Sequence, residues 1–342
     1  MKDGKISRRD FLRAGALGAT LVAAGGCFSL QGNAHPYHPL PYAARLQVKH
    51  PSQFRILQLT DIHFEPDTDP VKHLENKRSE TMIAALITQA KPDLVMVTGD
   101  SWVGNQKLGG EDRMREAVAR FVALGTPWAY AWGNHDRLID NAQGHKELTE
   151  AKNSLYRGAE TGGNYVIDIV NTREDRVCQL VCLNSECDGL GASQQAWMKT
   201  LADDTAKAGR PQPLRVAFFH IPIKQYAEIW DKHAASGLKG ENCCIEKEDG
   251  SSLAYLKMLG VRACFCGHDH VNNYSGISDG VELVYGRASG VGGYGGDRVP
   301  KGGTLITINC RTGRYDWAAL LPNQPVWRPK PGEQITIPEP KK

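Results

Sequence analysis

Carboxylates and imidazoles gather at five places in this 342-residue chain: Asp61-Ile-His63, Gly99-Asp100, Gly133-Asn134-His135-Asp136, His220 and Gly267-His268-Asp269-His270. Carboxylate oxygen and imidazole nitrogen together suit zinc, manganese or iron, and without an all-oxygen cage calcium is disfavoured. In an extended segment, residues two apart project to the same side, so Asp61 with His63, and His268 with His270, each aim two ligands into one crevice. Met singly, each block has a plainer meaning. A histidine after an apolar strand is more often a satisfied core residue, His-x-His is common on surfaces, and an aspartate after Gly99 suits a turn. Their combination points to a metal site.

The elements that must position these groups are apolar runs, one before each block: Ile56-Leu-Gln-Leu-Thr60, Leu94-Val-Met-Val-Thr98, Trp128-Ala-Tyr-Ala-Trp132, Val216-Ala-Phe-Phe219 and Val261-Arg-Ala-Cys-Phe-Cys266. Such runs predict buried strands delivering ligands at one edge of a sheet, where open α/β folds place their sites. Between the first three, the pattern predicts a polar loop over 65–74, a helix over 76–90 stopped by Pro92, and an amphipathic helix over 111–124 with Met114, Val118, Phe121 and Val122 on one face. This strand-helix-strand order demands parallel pairing. A polar helix over 143–156, an antiparallel pair at 162–168 and 176–183, and a helix over 194–207 capped by Ser193 come next. A loop over 232–248 and a short helix over 253–259 follow, and strands near 271–277, 282–286, 303–309 and 313–320 are expected to close a second sheet. The fold class is α/β, with two packed mixed sheets flanked by helices.

In their order, the five blocks resemble the signature of the calcineurin-like, dinuclear metallophosphoesterases, over about residues 53–320. Phe218-Phe-His-Ile-Pro222 and Tyr285-Gly-Arg287, with the Gly-rich stretch behind it, resemble a branch related to purple acid phosphatases. One departure stands out: a purple enzyme has Tyr where this chain has Val103, so the iron-tyrosinate ligand is not expected. The resemblance implies a four-layer αββα sandwich and two divalent or trivalent ions, zinc, manganese or iron. One ion would take Asp61, His63, Asp100 and His270; the other would take Asp100, Asn134, His220 and His268, with the Asp100 carboxylate bridging. Two ions at roughly 3.5–4 Å generate hydroxide near neutral pH for in-line attack on phosphorus. His135, aimed by Asp136, would stabilise phosphate charge or protonate the leaving oxygen, contributing about 10²–10⁴-fold.

With 41% hydrophobic and 23% charged residues the chain can bury a core, but its first 34 residues stand apart. Ser7-Arg-Arg-Asp-Phe-Leu-Arg13 ahead of the small, apolar stretch 14–24 resembles a twin-arginine export signal, too short and Gly-rich for a membrane span. Ala24-Gly-Gly-Cys27 resembles a lipoprotein cleavage box with Ala where Leu is usual, while Gly32-Asn-Ala34 suits an ordinary signal peptidase, so lipidation of Cys27 stays open. Lys2, Lys5, Arg8, Arg9 and Arg13 against Asp3 and Asp10 account for the whole formal charge of +3. The remainder is neutral and carries no basic footprint for nucleic acid or anionic lipid. The expected organisation is thus an export signal over 1–34, an extended lead-in over 35–52, the metallophosphoesterase domain over 53–320 and a Pro-rich surface tail over 321–342. Of the cysteines, 178, 182, 264 and 266 suit buried strand positions, and Cys187 with Cys243 and Cys244 suits a bridge between loops.

These features lead to an exported phosphoric ester hydrolase in the periplasm or cell envelope, leaning to small phosphomonoesters. The twin-arginine machinery would be its partner, and the membrane would be touched only through a lipid on Cys27. A phosphodiesterase acting on cyclic nucleotides or phospholipid headgroups shares the same metal blocks. A non-catalytic metal-binding envelope protein is the reading from another class. The stretch 286–296 is expected to be a mobile loop more than a phosphate cradle, with Arg287 as the candidate for the latter role.

Overall fold

The computed structural model describes residues 39–50, 52–104, 109–208 and 212–339. The segment 1–34 expected to be an export signal, with Cys27, lies outside these residues. After β1 (Ala43–Gln47), three strands, β2 (Phe54–Leu59), β3 (Leu94–Thr98) and β4 (Trp128–Ala131), pair in parallel, as two intervening helices demand. Those helices are α1 (Pro70–Ala90) and α2 (Glu111–Ala123). Helix α1 starts six residues before the expected 76 because Asp69 caps it, accepting from the Val71 and Lys72 amides at 2.8 and 3.2 Å, and Pro70 opens its first turn. Its first turns bury no side chain, with Val71 and Leu74 exposed, so they carry no apolar stripe to mark them as helix. Asn76, Ser79, Ile83, Leu86 and Ala90 form its buried stripe, and Pro92 follows its end.

Beyond α3 (Asn141–Glu150) come β5 (Tyr165–Val170) and β6 (Arg176–Cys182), antiparallel as expected. Then follow α4 (Ala192–Lys207), β7 (Leu214–Phe218), α5 (Gln225–Asp231), β8 (Ala235–Lys239), α6 (Ser252–Met258) and β9 (Val261–Cys266). The start of α4 falls to Gly191, whose amide donates to the Gln194 side chain at 3.0 Å, and Ser193 is not its cap. The chain ends through β10 (Asn272–Ser278), β11 (Val281–Tyr285), β12 (Gly303–Ile308), β13 (Tyr315–Leu320) and β14 (Gln334–Thr336).

These strands form two mixed sheets flanked by helices, one in the order β13-β12-β2-β3-β4 and the other β1-β5-β6-β7-β9-β11-β10-β8-β14. A single hydrophobic core draws on both sheets. Three expectations change here. Strands β12 and β13 join the first sheet, because β12 runs antiparallel to β2 with Ile306 opposite Ile56, and do not close the second. The lead-in and the tail each add an edge strand: β1 pairs in parallel with β5, and β14 with β8, inside the segment expected to be a loop. Short edge strands of mixed polarity give little periodic signal: Ala44 is the one buried residue of β1, and β14 has none.

The sheets are tied across by buried polar links: the Gln58 amide donates to the Cys266 carbonyl at 3.0 Å, and Tyr165 Oη donates to the Tyr130 carbonyl at 3.0 Å. Truncating a fully buried β2 side chain should therefore be costly. We expect Leu57→Ala to lower stability by about 2–5 kcal/mol. Ile277→Ala, at a side chain 65% exposed on β10, should stay within about 0.5 kcal/mol. Urea denaturation midpoints of the two variants compare them directly, and equal losses would contradict the layered core.

Candidate metal centre

All seven expected metal-binding side chains come together, though not at the edge of one sheet. Asp61 and His63 follow β2, Asp100 follows β3 and Asn134 follows β4, whereas His220 follows β7 and His268 and His270 follow β9 in the other sheet. Nor does an extended backbone aim them. Asp61, His63, Asp100 and His268 have φ of 54°, 52°, 52° and 79°, in the left-handed region that non-glycine residues seldom enter. Backbone bonds hold them there: the Asp61 amide donates to the Gly99 carbonyl at 3.1 Å and the His63 amide to the Asp100 carbonyl at 2.9 Å. At Gly99, with φ 81°, a Cβ would come within 2.7 Å of both Gly133 and the His220 ring, which explains a glycine directly before Asp100.

Two donor groups result. Asp61, His63 and His270 offer atoms within 4.8 Å of one another, and so do Asp100, His220 and His268. In the first, His63 Nε2 and His270 Nε2 are 3.1 Å apart and Asp61 Oδ1 lies 3.5 Å from His270 Nε2. In the second, His220 Nδ1 donates to the Thr98 carbonyl at 2.8 Å, which turns Nε2 toward Asp100 Oδ2 at 3.2 Å, Asn134 Oδ1 at 3.1 Å and His268 Nδ1 at 3.3 Å. A single proton on Nε2 satisfies one of those three acceptors; a cation satisfies all of them. The donor set therefore fits a metal ion in each group. Asp100 Oδ2 also lies 3.7 Å from His63 Nε2, so one oxygen faces both groups, while Oδ1 accepts the His135 amide at 2.9 Å.

The electrostatics agree. Burial alone would raise the Asp61 and Asp100 carboxyls, but the neighbouring imidazoles, His270 foremost for Asp61 and His220 for Asp100, hold both well below the usual carboxylate range. Burial would depress His220, yet Asp100 and Asp61 push it up to about 10. His63 and His268 are pushed down to about 4, chiefly by burial. The field between the two carboxylates calls for positive charge.

Asp136 differs from its expected role. It is buried and does not aim His135: Oδ2 accepts the Asp100 and Gly133 amides at 2.9 and 2.7 Å, and Oδ1 accepts those of Ser101 and Trp102 at 2.8 and 3.3 Å. It shapes the loop that presents Asp100. The His135 ring sits 5.1 Å from that of His63, on a cavity of about 700 Å³ over the metal ligands. Val103 lines the same cavity at the position where a purple enzyme has its tyrosine. Trp102 and Phe64 are buried packing residues.

Sequence reasoning missed Tyr294. Its ring stacks on His270 with centroids 4.0 Å apart and an 11° tilt, and its hydroxyl donates to Glu241 at 2.8 Å. Glu241 accepts the Val271 amide at 2.9 Å, and the buried Lys301 ammonium donates to the Tyr294 carbonyl at 2.6 Å. The only hint was an aromatic residue inside a Gly-rich run, a run expected to be mobile. Arg287 points away from the metal ligands, 5.4 Å over the Trp327 ring and 3% exposed, so it presents nothing to a phosphate there.

Two contrasts separate these roles. His135→Ala should leave metal affinity unchanged while lowering kcat by about 10²–10⁴-fold. Asp136→Ala and Tyr294→Ala should each weaken metal binding by about 10–100-fold, as loss of an outer-shell support does. Competition against a chromophoric chelator reads the affinities, and full retention by both supporting-residue variants would contradict the assignment.

This chain is similar in sequence to several known proteins. "Probable inactive purple acid phosphatase 28" of Arabidopsis thaliana is 24% identical over 319 residues, covering 80% of this chain and 80% of its own. "Phosphatase DCR2" of Saccharomyces cerevisiae is 30% identical over 302 residues, 77% of this chain and 52% of that one. The crystal structure of a dimetal phosphatase from Danio rerio superposes with a TM-score of 0.47 and 12% identity, covering 79% of this chain and 99% of that one. The family profile described as Calcineurin-like phosphoesterase matches residues 54–272, more than half of the chain, and on that match this chain belongs to the calcineurin-like phosphoesterase family.

Proposed function

We propose that this chain hydrolyses small phosphoric esters, monoesters first, at a pair of cations held by Asp61, His63, Asp100, Asn134, His220, His268 and His270. The observation that carries this reading is Asp100 Oδ2, placed 3.2 Å from His220 Nε2 and 3.7 Å from His63 Nε2, between two donor groups. When bound, two cations neutralise phosphoryl oxygen charge and acidify water. The chain's own residues do the rest. Asp136 fixes the turn that presents Asp100, Tyr294 backs His270, and His135, at the mouth, supplies a proton to the leaving oxygen or steadies the phosphate. Some relatives are named inactive, but all seven ligand positions are filled here, which supports a working enzyme over a binding scaffold.

One observation favours diesters as a second reading. Glu65, Glu241 and Glu339 line the cavity, and no Lys or Arg does among the described residues. That rim disfavours the second negative charge of a monoester near neutral pH. We also propose export of the folded protein, supported by Ser7-Arg-Arg-Asp-Phe-Leu-Arg13; replacing Arg8 and Arg9 with Lys should leave the protein in the cytoplasmic fraction.

Chelated enzyme, given manganese or zinc back and assayed on paired chromogenic mono- and diesters, tests the activity. Asp100→Asn should abolish hydrolysis of both. A higher kcat/KM on the diester would select the second reading, and an unchanged rate in Asp100→Asn would mean that the site is not responsible.

A further inference from the structure

At the rim of the cavity, a third set of donors meets the back of a metal-centre histidine. Cys244, Glu246 and His268 each offer one ligand atom, all within 4.8 Å of one another. Cys244 Sγ lies 3.4 Å from Glu246 Oε1, and Glu246 Oε1 lies 3.7 Å from His268 Nε2. Tetrahedral zinc, with bonds of about 2.0 Å to nitrogen or oxygen and about 2.3 Å to sulfur, sets ligand atoms roughly 3.3–3.6 Å apart. The two measured separations fall close to those values. Thiolate, carboxylate and imidazole form a borderline-soft set that suits zinc or cobalt and suits magnesium or calcium poorly.

The set is held in place by its surroundings. The Cys244 amide donates to Asp269 Oδ2 at 3.1 Å, and Asp269 also accepts the Tyr285 hydroxyl at 2.5 Å. The Lys247 amide donates to the Asp188 carbonyl at 3.0 Å, pinning the loop on its other side. Lys247 directs its ammonium to Asp188 at 2.9 Å, which leaves the Glu246 carboxylate facing the thiol and the imidazole. Glu246 and Cys244 are exposed, so an ion reaches them from solvent.

We propose that Cys244, Glu246 and His268 Nε2 form a third, zinc-class cation site that shares the His268 ring with the second donor group. His268 Nδ1 faces His220 Nε2 at 3.3 Å, while Nε2 faces the rim. Holding a cation at the rim would release the Cys244 thiol proton and the His268 Nε2 proton to solvent. A rim cation sharing this ring repels the ion at Nδ1 and blocks the mouth, so its occupancy inhibits. The metal count is independent of the phosphoesterase reading; the inhibition rests on it.

Cobalt titration of the chelated full chain tests the site. Wild type should take up three equivalents, the last with a thiolate-to-cobalt charge-transfer absorption, and a third equivalent of zinc should inhibit hydrolysis. Cys244→Ser should bind two equivalents, lack the absorption and lose the inhibition; Glu246→Gln should need more cobalt to reach the third equivalent. Cys187→Ser, which alters the other exposed thiol near the centre, should behave as wild type. Saturation of wild type at two equivalents, or an absorption that survives Cys244→Ser, overturns the third site. Absence of hydrolysis at two equivalents would instead count against the proposed activity and leave the metal count standing.

Discussion

Everything in this structure depends on holding electron-pair donors closer together than they would stand by themselves. Asp100 Oδ2, His220 Nε2 and Asn134 Oδ1 converge within 3.2 Å steps, and His63 Nε2 and His270 Nε2 approach to 3.1 Å. In a buried setting such lone pairs repel unless positive charge lies between them. The surroundings oppose that repulsion geometrically. The Thr98 carbonyl fixes the His220 tautomer, the His135 amide occupies the far oxygen of Asp100, and the His268 amide donates to both Asp61 oxygens at 3.1 Å. Each ligand is left with one direction in which its free lone pair can point.

Backbone strain is the second means of holding them. Four ligand residues sit at positive φ, a conformation costing about 1–2 kcal/mol for a residue with a Cβ. They stay there because the backbone ladder between the ends of β2 and β3 continues past the strands: Phe64 donates to the Ser101 carbonyl at 2.8 Å, one step beyond His63 on Asp100. Asp136 closes the opposite side by collecting four amides into one buried carboxylate. Burial and the charge of Asp100 push Asp136 up to about 7, against the pull of the Gly133 amide. Its acceptor capacity is spent on shape, which is why it leaves the His135 ring to the solvent-facing cavity.

The extent to which this was legible in the sequence follows from what side-chain type encodes. The seven candidate ligands stood out because an apolar run followed by Asp or His is chemically specific, and the parallel opening followed from strand-helix alternation. The aiming did not, since left-handed φ at Asp61 or Asp100 has no signature apart from the neighbouring glycine. Asp136 was placed correctly beside the site and given the wrong partner, because its four bonds go to backbone amides that look alike in any sequence. Strands β12 and β13 were found but assigned to the wrong sheet: pairing partners are long-range, and β12 crosses about 250 residues to reach β2. Tyr294 escaped because the glycines around it signal freedom, whereas Gly293 lets the chain pass close to the His270 ring, where a Cβ would come within 2.8 Å.

The division of ligands between sheets has a consequence for assembly. Each donor group draws on both sheets: Asp61 and His63 meet His270 in one, Asp100 and Asn134 meet His220 and His268 in the other. His63 and His270 of the first group are 207 residues apart in sequence, and Asn134 and His220 of the second are 86 apart, so neither group exists in a partly folded chain. Ions that bind only the docked form add about 4 kcal/mol of stability at a thousandfold excess over Kd. Such ions would act as clamps between the sheets. A protein built in this way acquires its metals with its tertiary structure, and the compartment in which it folds decides which ions it carries. The proposed export of the folded chain would meet that requirement, because loading would finish before the protein left the compartment that supplies the metal.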